Sequence, residues 1–159
     1  MYKKLFILIL LFAPCLQGFS QIEISSSHKK FDKESRPAIV VSMTNGVDDR
    51  DVEKSWKKLM KDFNPDDLKT GKVIFADNAK IPSVSANSLD IYARVESGKE
   101  KVTLYVAVNL GATYLSSDNP GKLTAMKSIV KDFATSQVSA VFKEQIEEQE
   151  DVKKDIEKA

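Results

Sequence analysis

Two runs of alternating apolar and polar residues constrain the fold of this chain more than any other feature. In the first run, from Leu89 to Glu96, every second residue is apolar, and the pattern resumes from Val102 to Leu110 after Ser97-Gly98. Because side chains along a strand point alternately to its two sides, this spacing predicts an antiparallel hairpin with one buried face. A second layer must cover that face.

Two helices are predicted to supply the covering layer. The second helix is predicted to begin at Pro120, and its near-helical apolar spacing continues to Ile146. The first is predicted to have Asp48 as its N-cap and to end at Asn64-Pro65. Its apolar residues form one stripe at helical spacing, which places Trp56 in the core: Val52, Trp56, Leu59, Met60 and Phe63.

Shorter apolar segments predict two further strands, at 38–43 and 72–76, and an edge-like connection at 81–87. Segment 38–43 is apolar on both faces, which is typical of a central strand. The predicted order is therefore β-α-β-β-β-α. We expect an α+β two-layer sandwich, with an antiparallel sheet of about four strands, two helices on one face and an extended last helix.

Residues 1–20 are predicted to be a cleavable secretory signal peptide. Lys3 and Lys4 precede nine apolar residues, and Gly18 and Ser20 place small side chains before a cut between Ser20 and Gln21. The apolar stretch is shorter than the roughly 20 residues that span a bilayer, so we expect no transmembrane segment after cleavage. The mature protein is expected to be exported, to the periplasm or outside the cell.

Cys15 leaves lipid anchoring open as an alternative, since lipoproteins are cut just before a cysteine. Pro14 fits that cut poorly, because lipoprotein signals carry a small residue there. If Cys15 leaves with the signal, the mature chain is cysteine-free. It must then fold without the disulfides that are common in exported proteins.

The predicted mature chain divides into three parts. Residues 21–35 are predicted to be a polar N-terminal lead-in, in which Ile22 and Ile24 could form a short edge strand. Residues 36–146 are predicted to be the α+β domain. In 147–159 the chain is mostly charged, and we expect either a helical tail, which could form a coiled coil, or a fraying solvated end.

Composition excludes several classes of function. Two of the 24 basic residues and none of the 23 acidic ones lie in 1–20, so 22 basic and 23 acidic residues remain. This near balance favours neither nucleic acid nor an acidic membrane surface as a partner. The single histidine, His28, supports neither a catalytic triad nor a metal site, and no phosphate-binding glycine motif is present. We therefore predict no catalytic residue, no metal and no cofactor.

Three function classes remain. Aspartates at 48, 49, 51, 66, 67, 77 and 90 leave open a carboxylate-dependent hydrolase acting on envelope glycan, although aspartate is common at helix starts and turns for structural reasons. A carrier of a small apolar ligand between sheet and helices is also open. The interpretation we favour is a non-catalytic binding or assembly protein. Its partner would contact the wetter sheet face, with candidate residues Tyr92, Arg94 and Tyr105, or the C-terminal helix, through which the chain could also self-associate.

The helix 52–63, the hairpin around Ser97-Gly98-Lys99 and the final helix together resemble uncharacterised exported or envelope proteins of Gram-negative bacteria. Those small domains are similar in layout to the TATA-binding-protein-like α+β fold. The resemblance covers about residues 36–158 and is one of pattern. It implies a fold and a compartment, and it transfers no catalytic or binding residue to this chain.

Overall fold

A six-stranded antiparallel sheet forms the centre of the structure, a computed structural model that describes residues 22–44 and 46–158. The elements along the chain are β1 (Ile22–Phe31), β2 (Glu34–Met43), α1 (Asp49–Asp62), β3 (Asp67–Lys69), β4 (Ile74–Ala79), β5 (Leu89–Ser97), β6 (Val102–Asn109) and α2 (Pro120–Lys158). Across the sheet the strands follow the order β1-β2-β6-β5-β4-β3. The α+β class with an antiparallel sheet is thus as predicted. The predicted signal peptide lies outside the described residues.

The predicted hairpin is confirmed as β5 and β6. Their register sets Ala93 opposite Val106 and Arg94 opposite Tyr105, and the Gly98 amide closes the turn by donating to the Lys101 carbonyl at 2.8 Å. On the other side of β6, strand β2 pairs with it from Ile39 to Met43. Segment 38–43 is therefore in a central strand, which explains why both of its faces are apolar.

The prediction of about four strands is wrong, because β1 and β3 also join the sheet. Strand β1 pairs with β2 along its whole length, from Ile22 opposite Met43 to Phe31 opposite Glu34. Most of its side chains are exposed, since an edge strand contacts the core only in part. Apolar alternation is limited to Ile22 and Ile24, where a short edge strand is predicted, and the rest of the strand gives no periodic signal. The segment interpreted as a lead-in, 21–35, thus supplies all of β1 and the start of β2.

Both helices pack on the same face of the sheet. Helix α1 lies against β4 and β5, and α2 lies against β1 and β2. The helices meet where the Trp56 ring contacts Phe133 edge-on, with ring centroids 5.0 Å apart. The residues that the two helices bury in this core are Val52, Trp56, Met60, Met126, Val130, Phe133, Ala134 and Val138.

Helix α2 is much longer than the sheet that it covers. Its 39 residues correspond to about 58 Å, at 1.5 Å per residue. Val138 is its last buried residue, and beyond Phe142 the side chains described are exposed. The last part of the helix, about 24 Å from Lys143 onward, therefore extends past the core. Among the residues that the structure describes, no helix is long and apolar enough to cross a membrane.

Asp48 has the predicted role of N-cap of α1, and this gives a stability prediction. Its carboxylate accepts from the amides of Arg50 at 2.8 Å and Asp51 at 3.3 Å. Replacement of Asp48 by alanine leaves these amides without that acceptor, so we expect the free energy of unfolding to fall by about 1 kcal/mol. Urea denaturation measures it. Asp49→Ala is the matched control, because it keeps the cap; equal losses for both variants would contradict the capping role.

Candidate binding face of the sheet

The surface of the sheet opposite the helices, here called the open face, is covered by no other element of the described chain. Along β6, Leu104 and Val106 point into the helix-covered core, while Tyr105 between them points to the open face. The alternation in the sequence therefore determines which residues this surface carries. Its central side chains are Lys29, Glu34, Arg36, Phe75, Tyr92, Arg94, Glu96, Tyr105 and Tyr114.

The three candidate residues named from the sequence lie together on the open face. Arg94 of β5 stands directly opposite Tyr105 of β6, and Tyr92 lies two residues from Arg94 on the same side of β5. All three side chains are half-buried. The structure thus joins them in one surface.

Arg36 lies at the buried centre of the open face, packed between aromatic rings. Its guanidinium carbon is 3.8 Å from the centroid of Tyr92 and 5.6 Å from that of Tyr114, both within the range of a cation–π contact. Nη2 donates to Glu34 at 2.8 Å. Only 9% of the residue is exposed, and its buried Nε and Nη1 have no hydrogen-bond partner. Burial alone would lower the pKa of Arg36, but Glu34 and the tyrosines raise it, so the group stays charged.

A second charged group lies next to Tyr105. Lys29 Nζ lies 4.0 Å from the centroid of the Tyr105 ring and donates to Glu96 at 2.6 Å. Arg94 Nε is 3.0 Å from the other carboxylate oxygen of Glu96. One carboxylate therefore serves two cations, and the three positive charges at the centre of the face have two carboxylates as partners, Glu34 and Glu96.

Aromatic contacts extend the open face toward β4. The Phe75 and Tyr92 rings are 4.7 Å apart at an angle of 31°, and Tyr92 also lies 6.5 Å from both Phe31 and Tyr114. Phe31 is fully buried beneath this group with Ala38 and Ala107. Burial raises the pKa of the Tyr92 hydroxyl, so Tyr92 is neutral at physiological pH. These contacts limit ring motion and hold the aromatic side chains in place before any partner arrives.

The predicted aspartate candidates include one close pair, Asp77 and Asp90. The two carboxyl groups lie within hydrogen-bonding reach of each other, and Asp90 also accepts from the Asn78 amide at 3.2 Å. A glycosidase needs its two carboxyl groups about 5–9.5 Å apart with a sugar between them, and this pair is too close for that arrangement. Asp48 caps a helix, and no group of His, Cys, Asp and Glu suited to a metal ion occurs in 22–44 and 46–158.

A groove of about 1030 Å³ runs between α1 and α2 on the outside of the helix layer. Charged side chains dominate its lining, including Arg50, Lys54, Lys58 and Glu144. A carrier of an apolar ligand would need an apolar cavity between the helices and the sheet. This groove differs from that site in both position and chemistry.

Sequence reasoning did not name six of these nine residues as candidates: Lys29, Glu34, Arg36, Phe75, Glu96 and Tyr114. From the sequence, Arg36 marks only the predicted start of the α+β domain, directly before Pro37. Lys29 belongs to the segment interpreted as a lead-in. The pairing of β1 with β2 brings both to the open face by setting Lys29 opposite Arg36. The sequence signal for both residues is the two-residue turn at Asp32-Lys33, between the polar end of β1 and the polar start of β2. Residue propensities alone indicate this turn only weakly.

Comparison of the chain with protein-family models, with curated proteins and with solved structures finds no match.

The Asp77–Asp90 pair gives a pH-dependent prediction. Burial and then the charge and hydrogen bond of Asp90 raise the pKa of Asp77 above its ordinary value of 3.8. The ionised form is therefore disfavoured in the folded protein, and stability is lost as pH rises through this window. Because asparagine cannot ionise, we expect Asp77→Asn to raise the melting temperature at pH 7 and to have little effect below about pH 3.

Thermal unfolding followed by circular dichroism from pH 3 to pH 7 tests this expectation. Asp90→Asn serves as the matched background. With the charge of Asp90 removed, Asp77→Asn should raise the melting temperature at pH 7 by less than it does in the natural sequence. If Asp77→Asn raised the melting temperature equally at every pH, the two carboxyl groups would not repel each other in the folded protein.

Proposed function

We propose that this chain is an exported, non-catalytic protein that binds a partner protein through the open face. The observation that carries the proposal is the fixed cluster of Tyr92, Tyr105, Arg36 and Arg94 on a sheet surface that no other described element covers. Tyrosine and arginine are among the residues that contribute most to protein–protein binding energy. Held by ring and ion-pair contacts, they lose little side-chain entropy on binding.

Export and family are part of the same proposal. The order of positive, apolar and small residues in 1–20 supports secretion, with Gln21 as the first mature residue and no lipid on Cys15. The pattern resemblance to uncharacterised envelope proteins of Gram-negative bacteria agrees with a periplasmic or secreted protein. The two other candidate functions lack comparable support, since the Asp77–Asp90 pair is too close for glycan hydrolysis and the helix groove is charged.

Site-specific photo-crosslinking tests the open face as a partner site. A photoreactive benzoylphenylalanine in place of Tyr105, introduced in the native host, should give one adduct of defined mass in the cell envelope. Arg94→Glu in the same chain should reduce the adduct about tenfold, since loss of a hot-spot residue costs more than 1 kcal/mol.

Position Ser128 provides the control, because it is exposed on α2 in the helix layer, away from the open face. The same photoreactive group there should give no such adduct. Equal adducts from both positions, or none from Tyr105, would refute a partner site on the sheet. The mass of the uncrosslinked protein reports processing, and we expect a chain that begins at Gln21 without lipid.

Self-association through the end of α2 is a second candidate function, and exposed apolar residues favour it. Ile146, Val152 and Ile156 are 56%, 60% and 71% exposed. With 3.6 residues per turn, they lie on the same side of the helix as Phe142 and the buried Val138. The apolar side of the helix therefore continues past the core, where a second helix could cover it.

Deletion of residues 147–159 tests this second function. If the helix end joins two copies, the full mature chain should show a concentration-dependent rise in mass by light scattering, and the truncated chain should remain a monomer. Val152→Glu with Ile156→Glu should act like the deletion. The paired surface changes Glu147→Gln and Lys154→Gln should leave the mass unchanged. A full-length chain that is monomeric at every concentration would rule out self-association through α2.

A further inference from the structure

We propose that Arg36 binds a carboxylate of the partner, which makes the centre of the open face a site for an acidic residue or a free chain end. The inference rests on the proposed function, since it names the chemistry that the partner presents to this face. It starts from the two guanidinium nitrogens, Nε and Nη1, that are buried without an acceptor.

Buried donors without acceptors are uncommon and costly. Most buried polar groups in proteins have a hydrogen-bond partner, and a buried donor that lacks one destabilises the folded state because it has lost its water without gaining an acceptor. Arg36 has two such nitrogens, while its third nitrogen already donates to Glu34. An acceptor bound at either nitrogen would remove part of this cost, so binding of a carboxylate also improves the hydrogen bonding of Arg36.

The side chains joined by ion pairs at the centre of the face carry one excess positive charge. The centre of the face holds three cations, Lys29, Arg36 and Arg94, and two carboxylates. Glu96 is shared by Lys29 and Arg94, and the side chain of Glu34 is 70% exposed, so water weakens its hold on Arg36. A single carboxylate brings this group to neutrality. A phosphate dianion would exceed the positive charge and face the carboxylates already present.

Tyr92 and Tyr114 determine how the carboxylate enters. Both rings lie beside the guanidinium, with Tyr92 at 3.8 Å and Tyr114 at 5.6 Å. Tyr92 lies in a strand and is held by Phe75 and Phe31, whereas Tyr114 lies in the connection after β6, where it bridges to Asn109 and contacts Tyr92 at 6.5 Å. Tyr114 is therefore the ring that moves aside. The carboxylate then lies in the plane of the guanidinium, against an edge that carries its N–H groups, while the Tyr92 ring stays on the guanidinium face.

Nuclear magnetic resonance of the arginine side chains tests the site directly. The chain contains only three arginines, at 36, 50 and 94. Single replacements by lysine therefore assign each Nε–H signal in the mature protein. We titrate with sodium acetate as the carboxylate probe and with sodium phosphate as the competing anion, and sodium chloride holds the ionic strength constant.

We expect the Arg36 Nε–H signal to shift saturably with acetate, and at least tenfold less strongly with phosphate at equal concentration. Arg50, which is exposed at the start of α1, is the control in the same spectrum and should stay in place. In Arg36→Lys, which keeps the charge but lacks Nε–H, the affinity measured from the Tyr114 backbone amide should fall at least tenfold.

An Arg36 signal that does not respond to acetate, or that moves together with Arg50, would overturn the carboxylate site. An equal or larger response to phosphate would also overturn it, in favour of a general anion site. If Arg36→Lys does not fold, the titration of the unmodified protein still decides. The proposed function fails separately, because the adduct at Tyr105 does not depend on which chemistry Arg36 recognises.

Discussion

The one-sided burial of the sheet is the constraint on which the rest of this structure depends. Alternation in β5 and β6 directs Leu104, Val106 and Ile91 to one side, where α1 and α2 cover them and Trp56 meets Phe133. A sheet covered on one side must leave its other surface compatible with water. The same alternation of apolar and polar residues in the sequence thus produces both the hydrophobic core and the open face.

The open face meets that requirement in an unusual way, by combining aromatic rings with cations instead of carrying only small polar residues. Tyrosine rings cover the guanidinium of Arg36 and the ammonium of Lys29, and in turn these charges keep the rings from forming a purely apolar patch. Such a surface tolerates water while retaining aromatic area that a partner can bury. Arginine suits the centre of the cluster because its planar group stacks on rings and remains charged when buried.

Much of the fold could be predicted from the sequence, because the helix stripe, the Asp48 cap and the hairpin each depend on neighbours within a few residues. Tyr92, Arg94 and Tyr105 were placed on the wetter face for the same reason. The residues of β1 predict only a short edge strand at Ile22 and Ile24, since the serines that follow, 25–27, form a strand because β2 pairs with them. Arg36 depends on contacts between distant segments, including Tyr92 and Tyr114, and no local pattern records those.

The ion pair between Lys29 and Glu96 joins β1, at the edge of the sheet, to β5, the fourth strand in the sheet order. Strands β1 and β5 are about 14 Å apart, at 4.8 Å per strand, and the side chains of Lys29 and Glu96 extend toward each other and meet above the strands between them. Strand β1 therefore contributes side chains to the open face, although it lies at the edge of the sheet. Detachment of β1 would remove Lys29 and Phe31 together. Glu96 would then pair only with Arg94, and Ala38 and Ala107 would lose their contact with Phe31. The pairing of β1 with β2 is consequently needed for the chemistry that the open face presents.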